Sequence, residues 1–320
     1  MQLIRNTNID FIGKKKISFV ISAIVALVGI VGVVQIARNQ ANMGIDFSGG
    51  TSVQLSFSRP VSMEQARSAL TRHNVREANL QEIKESNRLL IKVGKTALAT
   101  GNAVETITDV FRKELPGNPF VVESTTEIGP SIGDKLKSDT LTAVALSMLG
   151  IVVYIAWRFD FKFGIGAVVA TLHDVLAMSA VFYVLGKEIN LLFVTAVLTI
   201  AGYSLTDTVV VFDRIRENIH KTGKESLEAV FNLSINEVLS RTVVTSLTTF
   251  LAATSLLIFG GEVIHDFALA LVVGIVVATY SSIFIASPIV AELEVRSERA
   301  REHSSSTSQV PRGESENCSG

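Results

Sequence analysis

Charge is scarce in this chain, and cysteine is almost absent. Only 18% of its 320 residues are Asp, Glu, Lys or Arg, where a soluble domain carries about a quarter. With 48% hydrophobic residues and a mean hydropathy of +0.41, that shortfall excludes an ordinary soluble protein and points to lipid. A net charge of -1 gives no global attraction for a polyanion such as nucleic acid. The single cysteine, Cys318, stands in a polar tail, so neither an internal disulfide framework nor a cysteine metal cluster can form. The tail also holds Val310-Pro-Arg-Gly313, which faintly resembles a protease-tag scar.

What is present is a series of long apolar runs. About 20 mainly apolar residues cross a hydrocarbon core of about 30 Å. Six stretches meet or approach this length: Ile17–Ala37, Thr140–Trp157, Gly164–Leu185, Ile189–Phe212, Leu239–Phe259 and Val263–Val290. The first follows Lys14-Lys15-Lys16, as a signal peptide would, but it is too long and lacks a convincing small-residue cleavage site. It reads as a retained anchor. The second is short unless it extends back toward Lys137.

Basic residues give an orientation, because Lys and Arg concentrate in cytoplasmic loops. They occur at Arg5 and Lys14 to Lys16, at Arg158 and Lys162, at Arg214, Arg216, Lys221 and Lys224, and at Arg296, Arg299 and Arg301. The short loops of the other side hold only Lys187. Both termini of a multi-pass membrane protein are therefore expected in the cytoplasm. The expected division is a cytoplasmic segment 1–16, a first span 17–37, an extracytoplasmic domain with its hinges over 38–138, a five-span bundle over 139–293, and a disordered cytoplasmic tail over 294–320.

The inserted domain shows its own order of elements. Val53, Leu55 and Phe57 alternate as one face of a strand. Ser62 and Gln65 form a capping-box pattern ahead of Ala66, Ala69 and Leu70. Strands follow near Glu77–Ile83 and Arg88–Val93, joined by a turn at Glu85-Ser86-Asn87. Val104, Ile107, Phe111 and Leu115 mark a second helix before Pro116-Gly117, and a last strand runs Phe120–Glu123. The order β-α-β-β-α-β predicts an α+β, ferredoxin-like domain. It contains no paired acids, His cluster or nucleophile arrangement, which favours a binding or lever domain over an enzyme and calls for no cofactor or metal.

Charges inside the spans are the candidate functional residues, since a carboxylate at the bilayer centre costs at least about 2.5–3.5 kcal/mol. Asp174, beside His173, lies ten residues into the third span, about 15 Å deep. Asp207 interrupts the fourth span between Thr206 and Thr208, and Arg241 lies at similar depth on the next helix. The two can pair, either as a proton-linked couple or as a structural clasp. Asp174 is either functional or satisfied by Thr171 and a neighbouring helix. Thr206, Thr208 and Ser204 are candidate hydrogen-bonding neighbours of Asp207, and His173, Asp213 and Asp266 (beside His265) are supporting or interfacial groups. Small residues at Gly164, Gly166, Gly202 and Ser204 suit close helix packing.

After the first span comes Gly44-Ile-Asp-Phe-Ser-Gly-Gly50, in isolation a tight turn feeding a strand. With Ala201-Gly-Tyr-Ser-Leu-Thr-Asp-Thr-Val-Val-Val-Phe-Asp-Arg-Ile-Arg-Glu-Asn218, the chain resembles the SecF family of bacterial protein-export subunits. Leu172-His-Asp-Val175, Ser240-Arg-Thr-Val-Val-Thr-Ser246, Phe259-Gly-Gly261 and Gly129-Pro-Ser-Ile-Gly133 extend the resemblance over about residues 10 to 293. Thr206 departs from it, because relatives often carry Asn there. The resemblance implies half of an RND-type, proton-driven transporter that pairs with SecD, docks on the SecYEG channel and draws preproteins outward. YajC and YidC are further partners it brings in. It implies a proton relay of Asp207 and Arg241, joined by Asp174, with Asp46, Gly49, Gly50, Gly129 and Gly133 as motif and hinge positions. An RND-like exporter of small molecules or lipids and a passive channel scaffold are the competing readings.

Overall fold

In the computed structural model, residues 7–38, 42–75, 78–83, 87–94, 103–221 and 226–308 are described, with the side chains of 37, 262 and 300–308 excepted. Helix α1 (Lys15–Ala37) is followed by a short helix α2 (Ile45–Ser48) and strand β1 (Gly50–Phe57). Then come α3 (Met63–Arg72), β2 (Ala78–Ile83), β3 (Arg88–Gly94), α4 (Ala103–Glu114) and β4 (Phe120–Ile128). Five long helices complete the chain: α5 (Pro130–Arg158), α6 (Phe161–Val184), α7 (Leu191–Lys221), α8 (Leu227–Phe259) and α9 (Glu262–Ser281). A π-helical turn over Ser282–Ala286 leads from α9 into α10 (Ser287–Ser308).

Among the described residues, six helical stretches are long and apolar enough to cross a membrane, and the chain is a multi-pass membrane protein. Four of the expected spans sit inside longer helical stretches, while the third runs one residue past α6 to Leu185 and the fourth begins at Ile189, two residues before α7. The second begins at Pro130, where the ring presets the helical φ and the missing N–H costs no hydrogen bond. Helix α7 has 31 residues, about 46 Å at the α-helical rise, so its charged end from Asp213 to Lys221 projects beyond a 30 Å core. One expectation is corrected: α10 continues as helix to Ser308, so the tail begins as a helical extension of the last span. Residues 309–320, with Cys318 and the Val310–Gly313 string, lie outside the described residues.

The inserted domain pairs its strands in the order β2-β3-β1-β4, all antiparallel. Register explains its core. Val53 faces Ile91 and Leu55 faces Leu89 across β1 and β3, so alternate residues reach one face together. There they meet Ala66 and Leu70 of α3 and Ile107 and Phe111 of α4. Ser62 Oγ accepts the Gln65 N–H at 3.2 Å while Ser62 N–H donates back to Gln65 Oε1 at 3.3 Å, which caps α3 as its sequence predicts. Strand β4 runs to Ile128, five residues further than its sequence suggested, as an exposed edge. Glu77 and the turn residues Glu85 and Ser86 lie outside the described residues.

The other face of the sheet is polar and turns toward the helices. Ser52, Gln54, Lys92 and Thr126 line a cavity of 260 Å³ whose far wall carries Glu188, Asn190 and Asp266. In the bundle, α9 packs against α6, α7 and α8, while α1 lies along α6. Gly29 touches the Leu176 backbone, and a Cβ on Gly166 would come 2.6 Å from Val290 and 3.0 Å from the Ala286 carbonyl. Gly202 differs from expectation and faces open space. Residues turned outward, such as Ile24, Leu27, Leu149 and Trp157, are apolar, as lipid requires.

At the end of the bundle where α1 begins, Lys15 bridges Glu228 at 3.2 Å and Glu292 at 3.4 Å. Lys162 pairs with Glu294 at 2.6 Å. The segment before α1 is clipped there as well, since Asn232 Oδ1 accepts the Phe11 and Ile12 N–H groups at 2.9 and 3.0 Å.

Candidate functional site

Helix α6 is largely buried between α1, α7 and α9, and Asp174 sits on its inner side with 1% of its surface exposed. A buried carboxylate needs donors. Ser204 of α7 donates to Asp174 Oδ2 at 2.5 Å and Ser281 of α9 donates to the same oxygen at 2.9 Å. His173 Nδ1 lies 3.3 Å from Oδ1, and its buried Nε2 has no hydrogen-bond partner among the described residues. Thr171, the residue expected to satisfy Asp174, instead donates to the Ala167 carbonyl of its own helix at 3.0 Å.

Asp207 lies on α7, three residues after Ser204, so both face the centre of the bundle. It is also buried, and Ser282 Oγ donates to its Oδ2 at 2.7 Å. The neighbours expected from sequence do other work. Ser204 serves Asp174, Thr206 is exposed and bonds the Gly202 carbonyl at 3.0 Å, and Thr208 is buried with no hydrogen bond to Asp207. Arg241 is exposed on α8 and forms no ion pair with Asp207, although its charge acts on that carboxylate at longer range. The expected pair thus forms no ion pair in this structure.

The hydroxyls come from an irregular stretch that sequence reasoning missed. Ser281 and Ser282 are fully buried where α9 passes into the π-helical turn Ser282–Ala286, and Ser287 Oγ donates to the Ser282 carbonyl at 2.9 Å. Such single π turns occur frequently at functional sites. Their signal in sequence was the run Thr279-Tyr280-Ser281-Ser282, four consecutive hydroxyl residues in a largely apolar span. Small residues there read equally well as packing.

A second cluster lies where the inserted domain meets the bundle. Residues 185–190 join α6 to α7, and Glu188 within them is 5% exposed. Its carboxylate receives Lys92 Nζ from β3 at 2.5 Å and the Asn79 side-chain amide from β2. Beside it, Lys187 pairs with Asp266 at 2.8 Å, and His265 Nδ1 is 3.3 Å from the same carboxylate. Asp266 therefore belongs to this outer cluster. Asp213 belongs to the opposite end, paired with Arg158 at 2.8 Å.

The glycine-rich motif locks these parts together. Asp46 Oδ2 accepts the Leu191 N–H at 3.0 Å, capping the start of α7. Gly49 has φ 69°, and a Cβ on Gly133 of α5 would come within 3.1 Å of the Gly49 nitrogen. The chain thus turns from α2 into β1 against α5, while Gly129, just before α5, has open surroundings.

Two family models match the chain. Residues 110–296 match the C-terminal part of the SecD/SecF protein export membrane protein, and residues 36–61 match the SecD/SecF GG motif. The chain is 52% identical to protein translocase subunit SecF of Thermodesulfovibrio yellowstonii, over 91% of its own length and 96% of that protein's. It is 41% identical to the SecF of Calditerrivibrio nitroreducens, over 91% of the chain and 96% of that protein. The crystal structure of SecDF from Thermus thermophilus, described as a translocon-associated membrane protein, superposes with a TM-score of 0.78 at 33% identity. That match takes in 92% of this chain and 40% of the larger SecDF chain.

Proposed function

The chain belongs to the SecD/SecF family of protein-export membrane proteins, as an accessory subunit of the Sec translocase, and from that membership we propose that it uses the proton gradient to assist preprotein export. It acts with SecD and the SecYEG channel, with YajC and YidC as further contacts, in the bacterial inner membrane. Both termini are cytoplasmic and residues 51–128 are extracytoplasmic. Support for the orientation comes from the basic residues gathered at one end of the bundle. A cysteine placed at Lys187 or Gly261 reacts with an impermeant label from outside; labelling only from the cytoplasm would contradict this topology.

The observation that carries the proton-linked reading is Asp207. It is buried in a span, held by a serine hydroxyl, and acted on by the charge of Arg241, with which it forms no ion pair. Movement of Arg241 toward or away from it changes its affinity for a proton. Asp207 takes up and releases the proton, Arg241 sets the affinity, and Asp174 joins the relay. A charge crossing 100 mV gains about 2.3 kcal/mol, which biases a two-position element about fiftyfold. That element is the inserted domain. Its β2-β3-β1-β4 antiparallel order and two helices support a ferredoxin-like lever, with hinges at Gly49-Gly50 and Gly129 to Gly133.

The test is export into vesicles containing matched amounts of the complex. Asp207→Asn assembles normally with its partner and loses the gradient-dependent step. Undiminished gradient-dependent export in that variant would take the proton away from Asp207, and export by the parent complex that does not respond to the gradient would leave a passive scaffold as the better description.

A further inference from the structure

Asp174 and Asp207 stand on different helices and share no direct bond, yet both end at the junction of α9 with the π-helical turn. Ser281 Oγ lies 2.9 Å from Asp174 Oδ2 and 3.1 Å from the Ala278 carbonyl oxygen. Ser282 Oγ lies 2.7 Å from Asp207 Oδ2 and 3.1 Å from that same carbonyl oxygen. A hydroxyl has one proton to donate. Each serine must therefore choose between its own carboxylate and a shared acceptor.

The choice depends on protonation. A charged carboxylate only accepts, so it holds the serine proton. A protonated carboxyl can donate to the serine oxygen, and the serine then turns its proton to Ala278. That carbonyl has two lone pairs and already accepts the Ser282 backbone N–H. One site remains for two hydroxyls. Ser282 has a second outlet in the Thr279 carbonyl at 3.2 Å, in the last turn of α9 before the irregular stretch. Protonation of Asp174 thus sends Ser281 onto Ala278 and changes which acceptor is open to Ser282, and through it the support of Asp207.

We propose that Asp174 and Asp207 take up protons as one coupled pair, with Ser281, Ser282 and the Ala278 carbonyl carrying the coupling past the π-helical turn. This rests on the proton-linked reading of Asp207 and adds how that site is regulated. The titratable or charged groups facing the pair, among the described residues, are His173 on α6, Arg241 on α8 and Tyr280 on α9. Helix α7 contributes Ser204, α1 contributes Ser22 beside Tyr280, and α10 contributes Ser287.

Infrared titration of the full chain in lipid vesicles reads the coupling directly. The protonated-carboxyl band of Asp174 is identified by its loss in Asp174→Asn. Asp207→Asn should move the Asp174 midpoint by about one pH unit, the size at which two sites titrate as a pair. In the Ser281→Ala, Ser282→Ala background the same substitution should move it by less than half as much, and Ser281→Thr with Ser282→Thr should restore the displacement. Ser281→Ala alone, which leaves the Asp207 bond intact, gives the same reading if the double variant folds poorly. An equal displacement with and without the hydroxyls, or none with them, overturns the proposal. Export is not measured in this titration. Gradient-dependent export that persists in Asp207→Asn would sink the proposed function and leave the coupling standing, and loss of that export with an unchanged titration displacement would do the opposite.

Discussion

The outer end of the α6–α7 pair and its interior hold carboxylates in opposite ways. Outside, Glu188 and Asp266 each sit on a lysine, at 2.5 and 2.8 Å. Inside, Asp174 and Asp207 sit on serine hydroxyls, and Arg241 forms no ion pair with either. A lysine keeps a carboxylate charged and in place. A hydroxyl both donates and accepts, so it can serve a carboxyl in either protonation state. The outer cluster is a fastening, and the inner one can change state. Residues 185–190 connect them directly, so a shift of α6 against α7 is felt at Glu188, and through Lys92 and Asn79 by the sheet of the inserted domain.

The largest effect should come from making the fastening permanent. Lys92→Cys with Glu188→Cys, joined by a bifunctional thiol reagent with a reducible linker, should tie the domain to the bundle across the former Lys–Glu reach, and reduction should undo it. Export into vesicles should stop when the link forms and resume when it is reduced, with assembly unchanged throughout. Normal export with the link intact would show that the domain need not move.

The inner acids should then separate from each other. Asp207→Asn should abolish gradient-dependent export. Asp174→Asn should retain part of it with an altered pH profile, because its carboxamide oxygen can still accept from Ser204 and Ser281. Complete loss in both would make the two acids equivalent in the relay.

Much of the architecture was legible in the sequence, because lipid and strand pairing both impose simple periods. Six apolar runs, the Ser62–Gln65 cap and the alternation of Val53, Leu55 and Phe57 follow from local chemistry alone. Asp174 and Asp207 were visible because a carboxylate in a span is conspicuous. Their partners were not. Ser281 and Ser282 are some 75 to 107 residues from the acids they serve, and Glu188 is 96 residues from Lys92. Such contacts depend on helix rotation and on which face of the sheet meets the bundle, and no local pattern encodes either. The pairing of Asp207 with Arg241 was read from matched depth, which fixes height in the membrane but not the distance between side chains.

A smaller effect tests the outer cluster as a fastening. Lys92→Met leaves Glu188 buried without its cation and removes a charged hydrogen bond, which costs about 1.5–3 kcal/mol. Energy transfer between dyes on the domain and the bundle should broaden, while Lys92→Arg should stay near the parent. Unchanged distributions in Lys92→Met would assign the docking to the Asp46 and Gly133 contacts instead.

The smallest effect is at the terminal end. The Gly13 N–H, 2.8 Å away, and then the Asn232 amide hold the Asp10 carboxyl below the usual carboxylate range. A group lowered on folding contributes stability above its unfolded value, about 3.9, and loses it as pH falls through the folded value. Hydrogen exchange at the Phe11 and Ile12 amides should therefore be steady from neutral pH to about 5 once intrinsic exchange is divided out, and should quicken only below about 4. Quickening at higher pH would show that Asp10 does not govern the clip.

The central claim, that Asp207 and Arg241 move a proton and do more than hold helices together, is tested most directly by the double variant Asp207→Asn, Arg241→Met. Gradient-dependent export is compared with the two single variants at matched protein amounts in vesicles. The account predicts that all three assemble and that none shows gradient-dependent export. Recovery of export in the double variant would contradict it and leave the pair a structural clasp.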